Sequence, residues 1–156
     1  NSMNIYIDVK LDPGAIVPAR AYEFDGGMDL FTPCDVVVPG CKALSWVGNL
    51  APVDIGCATI DTGVHLAIPK GYVGFIKSKS GLNVKHGLTA DGTIDAGYTG
   101  SIVVKIYNNT SKEYRFKAGD KIAQLELHPI ITPRLTLVSE LDETERGDGG
   151  FGSTGR

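Results

Sequence analysis

Apolar and polar residues alternate along this chain in short runs rather than over long helical stretches. Ile5, Ile7, Val9 and Leu11 alternate with Tyr6, Asp8 and Lys10, which predicts a first strand ending at Asp12-Pro13-Gly14. The run from Asp35 to Val38 is rich in β-branched residues and stops at Pro39-Gly40. Further strands are predicted over Ala58–Ile60, Gly63–Ile68, Gly71–Lys77, Ser101–Tyr107, Glu113–Phe116, Lys121–Leu127 and Leu135–Leu141. In Ser101–Tyr107, Ile102, Val104 and Ile106 alternate with Lys105 and Tyr107, the signature of a strand with one buried face. In Lys121–Leu127, Ala123, Leu125 and Leu127 share a face and Gln124 points the other way. Many short strands separated by Pro/Gly turns predict an all-β domain, a distorted jelly roll or β-barrel.

Three stretches depart from that pattern. Ser80-Gly81-Leu82 predicts one short helix, with Ser80 as its N-cap. Residues 41–57, with the single tryptophan, Trp46, are too apolar for a linker and predict a long surface loop on a β domain spanning residues 1–141. From Asp142 onward the chain is charged and then glycine-rich, with five glycines between Arg146 and Arg156. Glycine loses the most backbone entropy on ordering, so 142–156 is predicted to be a flexible arm that orders only on binding.

Composition narrows the function. At 156 residues the chain is one domain, able to bury roughly 68–70% of its unfolded surface. With 15 Lys+Arg against 18 Asp+Glu, the net charge of −3 argues against direct nucleic-acid binding, which needs clustered positive charge. No apolar run approaches the ~18 residues of a membrane span, and nothing before Ile5 reads as a signal peptide. Cys34, Cys41 and Cys57 lack zinc-site spacing and read as free thiols, so the expected location is cytoplasmic.

The densest candidate chemistry lies in Gly92-Thr93-Ile94-Asp95-Ala96-Gly97-Tyr98-Thr99-Gly100. One acid and one aromatic ring sit among glycines beside a firm strand, as at the edge of a concave site; the same residues also make an ordinary turn. In the arm, the N–H groups of Gly152 and its neighbours and the hydroxyls of Ser153 and Thr154 could wrap phosphate oxygens, and Phe151 could cover a flat ring. Lys79, Ser80 and Gly81 could form an anion site at the helix start; Gln124 could hold a water or a phosphate. Asp29, after Gly26-Gly27, could hold a metal-bound water or simply make a turn. No cluster of protein metal ligands is evident. These parts share an affinity for polyphosphate, with Mg²⁺ arriving on the phosphates and keeping most of its waters, and one carboxylate to prime a water.

Taken in order, five segments resemble the motifs of the trimeric dUTP pyrophosphatases: Gly27-Met28-Asp29-Leu30; Pro69 to Ile76 running into Lys79-Ser80-Gly81-Leu82; Gly92 to Asp95 with Tyr98, Gly100 and Asn108; Gly119 to Leu125; and Arg146 to Gly155. The resemblance implies a jelly-roll-like homotrimer with active sites between subunits, closed by a partner's arm. It implies hydrolysis of dUTP to dUMP and pyrophosphate with Mg²⁺, which limits uracil in DNA and supplies dUMP for dTMP synthesis. By position, Asp95 would be the general base, Tyr98 would pack under the deoxyribose, and Gly92, Thr93 and Ile94 would read the uracil edge. Lys79, Ser80, Gly81 and Gln124 would hold phosphates or their waters, Asp29 would support the water network around the metal, and Arg146, Phe151, Ser153 and Thr154 would close the site. Departures are Lys79 where arginine is common, Gly97 where aspartate is common, which should loosen the hairpin without removing the base, and the length of the 41–57 loop. Lysine keeps the charge but loses bidentate geometry. Two other readings remain: a dCTP deaminase or bifunctional deaminase–dUTPase of the same fold, and a nucleotide-gated, protein-binding regulator.

Overall fold

A computed structural model describes residues 4–43, 53–152 and 155, excepting the side chains of residues 43, 53 and 54. The elements in chain order are β1 (Val9–Leu11), β2 (Gly27–Phe31), β3 (Val36–Val38), β4 (Lys42–Ala43), β5 (Val53–Asp54), β6 (Gly56–Asp61) and β7 (Val64–Leu66). They continue with β8 (Tyr72–Lys77), α1 (Ser80–His86), β9 (Leu88–Thr89), β10 (Asp91–Ile94), β11 (Val103–Asn108), β12 (Tyr114–Phe116) and β13 (Lys121–Pro129). The architecture is all-β and jelly-roll-like. One sheet has the order β10-β8-β13-β2, another β6-β11-β9, and the pairs β1-β7, β12-β3 and β4-β5 complete it. No described helix is long and apolar enough to cross a membrane.

The core lies where the apolar faces of the two larger sheets meet. Ile76, Ile94, Leu125 and Leu30 from the first sheet join Ile60, Val104 and Ile106 from the second in one buried cluster. Each such aliphatic chain contributes about 1.5–3 kcal/mol on burial. In β11 the alternation holds residue by residue: Val104, Ile106 and Asn108 are buried, while Val103, Lys105 and Tyr107 face out. Asn108 is buried without penalty, because its amide donates to the Lys112 carbonyl at 2.8 Å and its Oδ1 accepts from the Thr110 N–H at 3.0 Å. It ties down a turn. β13 carries a bulge between Lys121 and Ala123, which lets consecutive Ile122 and Ala123 both be buried.

The structure corrects several expected elements. Only Val9–Leu11 of the first predicted run pairs, antiparallel to β7. No strand forms over Leu135–Leu141, where Leu135 and Leu137 are 93% and 99% exposed. Alternation gives a segment an apolar face, but among the described residues of one chain nothing covers this one. The N-cap of α1 is Lys79, with extended backbone (φ −75°, ψ 130°) and no side-chain cap, so Ser80 is the first helical residue. The helix closes on Gly87 in the left-handed region (φ 64°), whose N–H returns to Asn83.

Candidate active site

The Asp95 stretch is a built corner. β10 pairs with β8 so that Gly92 lies opposite Ile76 and Thr93 opposite Phe75. A Cβ on Gly92 would stand 3.1 Å from the Ile76 Cδ1, so the glycine lets the strand seat tightly against its neighbour. At the end of β10 the Asp95 carbonyl accepts the Tyr98 N–H at 3.1 Å. Gly97, third in that four-residue turn, has φ 93°, as a type II turn requires. Glycine here satisfies a backbone demand rather than loosening the hairpin. Tyr98 folds back over Gly100, where a Cβ would sit 2.6 Å from the phenol oxygen, and its hydroxyl donates to the Ser101 carbonyl at 2.8 Å. The Ser101 hydroxyl in turn donates to Asp61. That bond, followed by the Gly63 N–H, holds the Asp61 carboxyl below the usual carboxylate range.

These residues line a recess of about 310 Å³ that includes Gly92, Thr93, Ile94, Asp95 and Tyr98, floored by Ile76 and Ile102. Asp95 is exposed, and among the described residues its carboxylate accepts no hydrogen bond. Lys105 also lines the recess. Sequence reasoning assigned it no role, although its outward position in β11 followed from the period-two pattern.

A second cluster is centred on Asp29, three strands across the same sheet. Asp91, Lys77, Gln124 and Asp29 are direct cross-strand partners in one row over β10, β8, β13 and β2, so their side chains share the outward face of the sheet. Asp29 is 6% exposed. Lys79 reaches its Oδ1 and Lys121 its Oδ2, the latter at 3.1 Å. Burial pushes the Asp29 carboxyl up, but the hydrogen bonds and charges of Lys79 and Lys121 outweigh it and hold the group below the usual range. Gln124 donates to the Ser78 carbonyl at 3.0 Å. Gly27 makes room for it, since a Cβ there would stand 2.5 Å from the Gln124 Oε1.

The register sets the distance between the two clusters. Asp95 lies four residues beyond the Asp91 row, about 13 Å along the strand, while Asp29 lies three strands across, about 14 Å. One chain therefore does not bring Asp95 together with Asp29, Lys79, Ser80, Gly81 and Gln124. Among the described residues of the arm, Arg146 is turned onto its own loop, its Nε donating to the Gly149 carbonyl at 2.6 Å, and Phe151 is fully exposed, so neither reaches a cluster. Ser153 and Thr154, with most of the 41–57 loop, lie outside the described residues. Among the described residues no three His, Cys, Asp or Glu side chains converge as metal ligands.

Comparison with known proteins bears on this two-part arrangement. A protein-family model described as dUTPase matches residues 14–155. The deoxyuridine 5′-triphosphate nucleotidohydrolase of Paramecium bursaria Chlorella virus 1 is 40% identical over 147 residues, covering 94% of each chain. That of Arabidopsis thaliana is 39% identical, covering 94% of this chain and 80% of its own. Among solved structures, the Staphylococcus bacteriophage 80alpha dUTPase with dUPNHPP superposes with a TM-score of 0.82 at 32% identity, over 98% of this chain and all of the other. The glycine-seated corner, the lysine-clamped acid and the glycine-rich terminus thus all fall within a match that runs almost from end to end, and the chain belongs to the dUTPase family.

Proposed function

We propose that this chain hydrolyses dUTP to dUMP and pyrophosphate, with Asp95 as general base on the water that attacks the α-phosphorus. One observation carries this reading. Asp95 is an exposed carboxylate that accepts no hydrogen bond among the described residues, at the mouth of a recess formed by β10, Tyr98 and β11. A base needs free lone pairs within reach of a water. The backbone edges of Gly92, Thr93 and Ile94 suit a flat polar base, and the Tyr98 ring, held by Ser101, suits packing under a deoxyribose. Lys79, Ser80, Gly81 and Gln124 bind phosphates or their waters. Arg146, Phe151, Gly152, Ser153 and Thr154 form the closing arm over phosphate and base.

The donor set fits a magnesium ion delivered by the triphosphate and not a protein cage. Both Asp29 oxygens already face ammonium groups, so Asp29 and Gln124 would reach the ion only through water. When bound, the ion would supply charge neutralisation on the phosphates. Asp29 itself holds two cations at the edge of the phosphate site, which favours an anion there.

The separation of the two clusters supports a homotrimer whose sites form between subunits. Asp95 would come from one copy, the lysine-clamped Asp29 with Lys79, Ser80, Gly81 and Gln124 from the next, and the arm from another. Ile131, Leu135, Leu137 and Leu141, all exposed, supply an apolar edge for such a crossing. The test is pyrophosphate release from dUTP and the four canonical deoxynucleotides, with Mg²⁺ and then with EDTA. The expected result is release from dUTP alone, abolished by EDTA. Ammonia release from dCTP would instead indicate a deaminase.

A further inference from the structure

Behind the Tyr98 loop lies a second hollow of about 320 Å³, lined by Asp8 just before β1, Lys10 from β1, His65 from β7, and Thr99. His65 stands opposite Lys10 in the β1-β7 pair, between buried Val64 and Leu66, so its ring faces outward into this hollow. Its Nδ1 lies 2.8 Å from the Thr99 carbonyl oxygen and its Nε2 lies 3.0 Å from the Asp12 Oδ1. A carbonyl and a carboxylate can only accept. A neutral imidazole has a single N–H and would turn a lone pair on one of them, whereas an imidazolium donates to both.

The acceptor at the far end is fixed. The Asp12 N–H donates to the Gly63 carbonyl at 2.8 Å, and the Asp12 carbonyl accepts from Ala15 at 3.0 Å. The loop is thus held at two points just after Tyr98, by His65 at Thr99 and by Asp61 at Ser101. We propose that His65 is a positioning residue for the nucleotide site: its imidazolium ties the Thr99 carbonyl to Asp12 and so fixes Tyr98 and the turn carrying Asp95. His65 touches no substrate. Its effect on turnover rests on the reading of the recess as the dUTP site.

Among the described residues, the charged groups facing the ring are Asp12 beyond β1, Lys10 on β1, Asp8 just before it, and Asp61 at the end of β6; from the 95–101 loop it meets the Thr99 carbonyl. The Thr99 carbonyl, then Asp12, raise the His65 pKa above the ordinary histidine value, against opposition from desolvation and then Lys10. A raised folded-state pKa means the clamp is complete below the ordinary value and is lost as pH rises through the raised one.

The test follows dUTP turnover and imidazole and backbone NMR from about pH 5.5 to 9 in the wild type, His65→Gln and Asp12→Asn. The wild-type KM for dUTP should rise roughly two- to tenfold on the alkaline side, the factor that one net hydrogen bond carries. His65→Gln should show the raised KM at every pH, with kcat less affected. Asp12→Asn should move the transition to lower pH, a shift no merely structural role would produce. The Thr99 and Tyr98 amides should titrate with the His65 ring. A His65→Gln enzyme with the wild-type KM and pH profile would overturn the proposal, as would amides indifferent to the ring. If dUTP is not hydrolysed at any pH, the substrate reading fails, and the amide titration alone decides whether His65 positions the loop.

Discussion

Two aspartates in this molecule occupy opposite physical states. Asp29 is buried in β2, with one lysine on each oxygen and its carboxyl held low. Asp95 stands in the open at the end of β10, offering its backbone carbonyl to Tyr98 while, among the described residues, its carboxylate goes unused. A carboxylate flanked by two ammonium groups holds a proton poorly, so it organises charge. One with free lone pairs beside a recess can take a proton from water. The same side chain serves structure or chemistry according to what surrounds it.

The sharpest way to break this contrast is to remove the charge from each acid in turn. Asp95→Asn should lower turnover by about 10²–10⁴-fold, the usual share of general-base help, with nucleotide binding and melting temperature unchanged. A fall in melting temperature would mean that Asp95 is structural after all. Deleting the chain after Glu145 should come next in size. Phe151 alone, if it covers the base, is worth roughly 1–3 kcal/mol, and its loss should appear in kcat/KM while the β domain melts as before. An unfolded truncation would show that the arm belongs to the core.

Asp29→Asn should have the smallest effect on chemistry and the larger one on stability, costing about 1–3 kcal/mol because two lysines lose their anion, discounted for the exposure of Lys121. The Asp29 carboxyl is depressed in the folded state. Its contribution is therefore present above the ordinary aspartate range and is lost as pH falls through the lowered value. Acid unfolding of the variant should be flatter there than that of the wild type, followed by circular dichroism. Superimposable acid limbs would show that the clamp adds nothing.

Sequence reading succeeded where a residue's surroundings are supplied by its own strand. The alternation in Ser101–Tyr107 correctly gave the buried and exposed faces of β11, and the period of Lys121–Leu127 placed Gln124 on the outer face of β13. It failed where the partner was not local. Leu135–Leu141 has the pattern of a strand and forms none, and Ser80 has the chemistry of a cap while Lys79 takes the position. His65 was invisible, since a lone histidine in an apolar run gives no sign of the two acceptors at Asp12 and Thr99.

By itself, the order of residues determined the all-β class, the glycine at each tight place and the motif residues, because periodicity and backbone freedom are local properties of a chain. Only the tertiary structure decided that Asp29 would be neutralised by Lys79 and Lys121, that Asp95 would stand exposed, and that strand register would hold the two far apart. Those outcomes depend on which strands pair and in what register, a choice made by the burial of the whole core rather than by any one segment.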